Sequence, residues 1–101
     1  MPLLIVFLQS AKADIQSAVN WYESQQIGLG SKFTDQVIKA IDSLFDTRKG
    51  YGFVYMSLSR VFVNRFPYVI YFKTDPARDR LIVYAVLHEK QNRDQILEKR
   101  V

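Results

Sequence analysis

The 101-residue sequence contains no cysteine and only one histidine. The absence of cysteine excludes disulfides, thiolate zinc sites and cysteine nucleophiles. With a single histidine, a metal site would depend on carboxylates, and the acidic residues show no metal-ligand spacing. We therefore expect neither a metal nor another cofactor.

Long hydrophobic runs are also missing. The two longest, Leu3 to Leu8 and Leu81 to Leu87, are far too short to cross a bilayer. The N-terminus lacks the pattern of basic region, apolar stretch and cleavage site that marks a signal peptide. We therefore expect a cytoplasmic protein without a membrane partner, and the length favours one domain over residues 1–101.

Charge is unevenly distributed along the chain. Residues 1–47 carry three lysines and five acidic residues, whereas residues 48–101 carry eleven Lys and Arg and five acidic residues. The first part therefore has a net charge of −2 and the second +6. A basic half favours a polyanionic partner, either nucleic acid or an acidic peptide, although solvated charges of this kind also keep a small domain soluble.

The first half of the sequence predicts a strand followed by a helical hairpin. Leu3 to Leu8 is typical of a buried strand, and Ser10 is a plausible cap for a helix ending around Gln25 or Gln26. Gly28 precedes a second helix that Ser31 could cap. Apolar residues recur at helical spacing in both segments: Ala11, Ile15, Ala18 and Tyr22 in the first, and Phe33, Val37, Ala40, Ile41 and Leu44 in the second.

The second half predicts strands joined by short turns. Arg60 to Phe66, Tyr68 to Thr74 and Arg80 to His88 are rich in β-branched and aromatic residues, while Tyr51 to Tyr55 fits either a short strand or an ordered loop. Asn92 to Arg100 predicts a short, charged helix that docks weakly or stays frayed. This order gives an α+β fold: an antiparallel sheet, a helical hairpin on one face and a short C-terminal helix.

Five short motifs carry a family resemblance: Ala13-Asp14-Ile15, Trp21-Tyr22-Glu23, Gly28-Leu29-Gly30, Arg65 to Phe72, and Ala85 to His88. Their order and spacing resemble the RelE/ParE superfamily of bacterial type II toxins (plasmid stabilisation proteins), and most closely its ParE-like branch. The resemblance implies a β-α-α-β-β-β fold, a cognate antitoxin and an essential target. RelE-like members cut messenger RNA on the ribosome, whereas ParE-like members inhibit DNA gyrase and are not nucleases.

The resemblance leaves three functions open. The first is a ParE-like toxin that inhibits gyrase by protein contact and forms a hetero-oligomer with its antitoxin. The second is a ribosome-dependent messenger RNA endoribonuclease. The third is an inactive module that still binds an antitoxin.

The endoribonuclease hypothesis depends on His88, with Lys90 and Arg93 as cations for the developing phosphate charge. A histidine titrates near neutrality and can act as a general acid or base, but a lone histidine more often orders the backbone around it. Two nuclease features are missing from the resemblance. Val69 stands where RelE-like enzymes carry an arginine, and Ile96 where they carry a tyrosine.

Four residues are candidates for binding an antitoxin or a target. Arg60 and Arg65 interrupt an otherwise apolar strand, and with Lys73 they could border an open sheet face. Trp21 lies beside the apolar stripe of the first helix, where it could line a partner groove. An acidic segment that folds on binding would suit such a surface.

Overall fold

The computed structural model describes residues 4–45, 53–55, 58–78 and 80–100. One strand is followed by two helices, four strands and a short helix. Their bounds are β1 Leu4–Phe7, α1 Gln9–Gln25, α2 Leu29–Asp42, β2 Phe53–Tyr55, β3 Leu58–Phe62, β4 Tyr68–Asp75, β5 Arg80–His88 and α3 Arg93–Glu98. The predicted α+β class and the strand-helix-helix-strands order are confirmed, and β2 is the short strand that the sequence left open.

The sheet has the strand order β1-β5-β4-β3-β2. The pairs β2–β3, β3–β4 and β4–β5 are antiparallel, but β1 runs parallel to β5, with Leu4 opposite Arg80. The sheet is therefore mixed, and the expectation of a wholly antiparallel sheet was wrong for this one pair. Two helices separate β1 from the other strands, so no hairpin turn fixes its direction.

A β-bulge interrupts the pairing of β4 with β5. Tyr71 lies opposite Ala85, but its neighbour Phe72 lies opposite Val83, which leaves Tyr84 as an extra residue in β5. Such an insertion shifts the alternation of side chains by one. As a result Tyr84 and Ala85 both pack on the same side of the sheet.

The two long helices cover one face of the sheet and form the larger apolar core, which we call the inner core. Phe33 is fully buried there. Its ring stacks on Tyr22 at 5.4 Å and meets Phe66 and Tyr68 edge-on at 5.2 and 5.0 Å between ring centroids. Edge-on aromatic pairs contribute stability beyond their buried area. The aromatic motif around Pro67 therefore joins the sheet to both helices.

The turn between α1 and α2 is held by Glu23 rather than by a serine. Its carboxylate accepts hydrogen bonds from the amides of Gly28, at 2.9 Å, and Gly30, at 3.0 Å. Gly28 precedes α2 in the left-handed conformation, with φ of 90°. The predicted caps Ser10 and Ser31 were wrong, because each helix begins before its serine, whereas the predicted end of α1 around Gln25 or Gln26 is confirmed.

The short helix α3 covers part of the opposite sheet face. Leu97 is fully buried there, in a second cluster that we call the outer core. Its members are Leu58, Val69, Tyr71, Ala85, Leu87 and Leu97. Asn92 caps α3, accepting a hydrogen bond from the Gln95 amide. The expectation of weak docking was wrong, because Leu97 packs fully buried against side chains of β3, β4 and β5, contacts that its sequence position did not reveal.

Asp14 connects α1 with β5 and with the segment after α3. Its carboxylate accepts a hydrogen bond from the Val86 amide at 3.0 Å and a bidentate pair from the Arg100 guanidinium. The two charged side chains are only 15% and 19% exposed. Because β1 ends at Phe7, it does not extend as far as Val86 on β5. Without Asp14, the Val86 amide would therefore have no hydrogen-bond acceptor on that side of β5.

Candidate functional site

His88 closes β5 at the sheet edge, as predicted. Its Nδ1 accepts a hydrogen bond from the Lys90 amide at 3.0 Å, and its own amide donates to the Gln91 side chain at 2.7 Å. With Nδ1 as the acceptor, the neutral ring carries its proton on Nε2. The ring also meets Tyr68 edge-on at 5.2 Å. These contacts order the turn after β5 and leave Nε2 as a donor rather than a base.

The two cations proposed to assist His88 have separate surroundings. The Lys90 side chain is exposed, while Arg93 forms an ion pair with Asp94 at 3.4 Å. The pocket beside His88 has a volume of about 340 Å³. Neither cation is among the described residues that line it, which are Asp14, Ser17, Ala18, Tyr68, Val86, His88 and Gln91. A phosphate in this pocket would meet the Asp14 carboxylate.

Among the residues that the structure describes, Tyr68 and Tyr22 have a displaced pKa. Burial raises the pKa of Tyr68, and the negative charge of Asp14 raises it further. Burial also raises the pKa of Tyr22, with a smaller effect from Tyr68. Both phenols therefore stay neutral at physiological pH, and the pair can donate hydrogen bonds but does not provide a base.

Arg60 and Lys73 lie on the face of the sheet that carries the outer core. Arg60 lies opposite Tyr71 and places its guanidinium 5.2 Å from the ring centre of Phe62. The ammonium of Lys73 lies 5.6 Å from the ring centre of Tyr84. Both contacts are cation–π pairs at the edge of the apolar surface.

Arg65 does not share that face. It lies in the turn between β3 and β4 with φ of 71°, a left-handed conformation that is uncommon for residues other than glycine, asparagine and aspartate. There it lines a pocket beside α2 together with Lys32 and Lys39. The expectation that Arg65 borders the same surface as Arg60 and Lys73 was wrong, because β3 ends at Phe62 and the turn swings toward the helices.

Trp21 lies on α1 with 58% of its surface exposed. It follows Ser17 by one helical turn, and Ser17 lines the pocket beside His88. The structure thus distributes the predicted residues over three surfaces. Trp21 lies one helical turn from the pocket that His88 lines, Arg60 and Lys73 lie on the outer face, and Arg65 lies on the α2 side.

Three side chains matter more in the structure than the sequence indicated. Asp14 entered the sequence analysis only as part of a family motif, yet it joins three segments. Lys32 and Lys39 fell outside the apolar stripe of α2 and face Arg65. Their helical spacing of seven residues was the available signal, since it places both lysines on one side of a helix.

Two kinds of site can be addressed for the part of the chain that the structure describes. No group of three or more histidine, aspartate or glutamate side chains converges there in a way that could hold a metal ion. Among the same residues, no helix combines the length and the apolar character needed to cross a membrane.

Comparisons with known proteins show a likeness among solved structures. No family model matches the sequence, and no curated protein matches it. Among solved structures, a chain of the chromosomal ParDE TA system from P. aeruginosa is similar to this protein, with a TM-score of 0.71. The match covers 85% of this chain and 95% of that one at 10% identity. At so low an identity, the likeness shows that the two chains share a fold.

Proposed function

We propose that this protein is the toxin of a bacterial type II toxin–antitoxin system, that it inhibits DNA gyrase by direct contact, and that a cognate antitoxin neutralises it in the cytoplasm. The observation that carries the proposal is the shared fold with a chain of a ParDE system over nearly that whole chain. The sequence motifs shared with the ParE-like branch support the same assignment. The basic second half of the chain would favour an acidic antitoxin segment.

The surroundings of His88 favour gyrase inhibition over RNA cleavage. A general base needs a ring nitrogen that is free to accept a proton. In His88, Nδ1 already accepts a hydrogen bond from the Lys90 amide, and Nε2 carries the proton of the neutral ring. Val69 is buried in the outer core and Ile96 packs against it, so neither position offers a polar group to RNA. Inhibition of gyrase by protein contact needs neither a general base nor polar groups at these positions.

The test is a gyrase supercoiling assay with the purified protein, run beside a ribosome-dependent RNA cleavage assay. We expect inhibition of supercoiling and no cut messenger RNA. H88N is the matched control, because the asparagine Oδ1 can replace Nδ1 as the acceptor for the Lys90 amide. It should inhibit gyrase as well as the unchanged protein does.

Three outcomes would contradict the proposed function, the first two at the gyrase contact and the third at the toxin–antitoxin assignment. RNA cleavage that H88N abolishes, in a protein that stays folded, would instead establish an endoribonuclease. Silence in both assays with antitoxin binding retained would indicate an inactive module. If no antitoxin co-purifies when the neighbouring genes are expressed together, the assignment to a toxin–antitoxin system itself fails.

Surface substitutions are the appropriate way to locate the gyrase contact. Removing the segment after β5 would also remove Leu97 from the outer core and Arg100 from Asp14. A truncated chain would therefore lose activity by unfolding, whatever it contacts. Charge reversal at Lys90 and replacement of Trp21 by alanine change exposed side chains only, so a loss of inhibition would report on contact.

A further inference from the structure

A groove runs along α2, between that helix and the β3–β4 turn. Two adjoining pockets form it, because Gln36 and Lys39 line both. One pocket extends to Leu29 and Phe66, and the other to Val61 and Phe62 at the edge of the sheet. We call this surface the α2 groove. As α2 has 14 residues, the groove is about 21 Å long.

The α2 groove has an apolar floor and a cationic rim. Leu29, Ala40, Val61 and Phe66 supply its apolar lining. Among the described residues that line the groove, Lys32, Lys39 and Arg65 are cations, and Asp35 supplies one carboxylate. Within the described ranges, none of the three cations is ion-paired with a carboxylate.

Arg65 lies on the rim although its backbone conformation is unusual for an arginine. A left-handed φ of 71° favours glycine or asparagine over arginine. Arg65 is exposed, so packing does not explain the choice of side chain. What the arginine adds at this position is a guanidinium beside the groove, and strained residues of this kind concentrate at functional sites.

We propose that the α2 groove binds an acidic segment of a partner protein, with apolar side chains on the floor and carboxylates at Lys32, Lys39 and Arg65. Charge complementarity selects the partner, and the apolar floor favours a peptide over a nucleic acid, whose phosphates would gain nothing from Leu29 and Phe66. About 14 helical residues or six extended ones fit the length. The proposal rests on the proposed function in one respect, because it takes the acidic segment to be part of the antitoxin.

The test is selection of random 12-residue peptides, displayed on phage, against the immobilised full chain. We expect the recovered peptides to be enriched in aspartate and glutamate, with apolar residues between them. Fluorescein-labelled copies should bind about tenfold more weakly to K32E/K39E. The matched control K12E/K99E makes the same charge change at two exposed lysines outside the groove, and it should bind within about twofold.

Arg65→Asn separates binding from folding. Asparagine tolerates the left-handed conformation better than arginine does, so R65N should unfold at no lower urea concentration than the unchanged protein. It should nevertheless lose affinity for the selected peptides severalfold. Equal affinity in R65N and the unchanged protein would remove Arg65 from the proposed site.

Other results would overturn the proposal as a whole. These are recovery of no binder, recovery of peptides without acidic enrichment, or equal loss of affinity in K32E/K39E and K12E/K99E. Displacement of the bound peptide by an equimolar single-stranded RNA dodecamer would assign the groove to nucleic acid instead. None of these measurements involves gyrase, so they can fail while the supercoiling assay succeeds, and the reverse.

Discussion

Asp14 receives hydrogen bonds from two segments that lie far from it in the sequence. D14A would leave the Val86 amide without its acceptor and would leave the largely buried Arg100 guanidinium with only the Tyr84 carbonyl, at 3.4 Å. We expect it to lower the free energy of unfolding by about 2 kcal/mol or more, because an unsatisfied buried donor costs its full desolvation. Urea denaturation measures the change.

The matched variant R100A removes only the cation and leaves Asp14 paired with the Val86 amide. It should therefore cost less than D14A. A double variant D14A/R100A that is no less stable than D14A alone would show that the two residues act together. Equal costs for the two single variants would contradict the role assigned to the amide.

Glu23 offers a second test at the residue scale. E23A removes the acceptor for the Gly28 and Gly30 amides at the start of α2. Loss of a helix cap typically costs about 1 kcal/mol, and we expect that magnitude in urea denaturation. Alanine at the exposed Gln16 is a suitable control on the same helix. If E23A and the control unfold at the same urea concentration, the Glu23 carboxylate does not stabilise the start of α2.

The C-terminal helix is the element whose importance the sequence understated. Leu97→Ala would open a cavity in the outer core, where Leu97 is fully buried. We expect a loss of about 2–4 kcal/mol, as for other buried leucines. Ile96→Ala, at a half-buried neighbour, should cost clearly less. Equal and small losses would mean that α3 is as weakly docked as its sequence predicts.

The elements that could be predicted are those whose pattern is local. The periodicity of α1 and α2 and the β-branched run in β4 and β5 were sufficient, because each signal lies within one segment. The direction of β1 and the depth of Leu97 could not be predicted. Both depend on segments far away in the sequence, and a six-residue helix has too few apolar positions to show which of them is buried.

The candidate site was predictable in its residue types but not in its grouping. Arg60, Arg65 and Lys73 are all at the surface, yet the turn after β3 moves Arg65 to the helix side. The position of His88 at the end of β5 was predictable from the strand pattern. Its hydrogen bond to the Lys90 amide was not, because it depends on the conformation of the following turn.

At the scale of the whole molecule, alkaline pH should destabilise the fold. The folded state keeps Tyr22 and Tyr68 neutral to a higher pH than the unfolded chain does. The stabilisation is therefore complete below about pH 10, the ordinary pKa of tyrosine, and is lost as the pH rises from there toward the folded values. Urea denaturation between pH 8 and pH 11 would show the decline.

The double variant Y22F/Y68F tests which residues cause that decline. It removes both phenols while keeping their rings in the inner core. Its stability should fall less steeply above pH 10 than that of the unchanged protein. Parallel curves for the two proteins would assign the alkaline sensitivity to other groups.

The parallel pairing of β1 with β5 has a consequence for synthesis on the ribosome. Leu4 meets Arg80, and Asp14 meets a residue 86 positions further along the chain. During translation, β1 therefore cannot pair with β5 until residues 80–88 have been synthesised. Contacts between residues so far apart in the sequence are slow to form. A nascent fragment that ends before β5 would hold α1 and α2 beside an unfinished sheet, with their apolar faces available to chaperones.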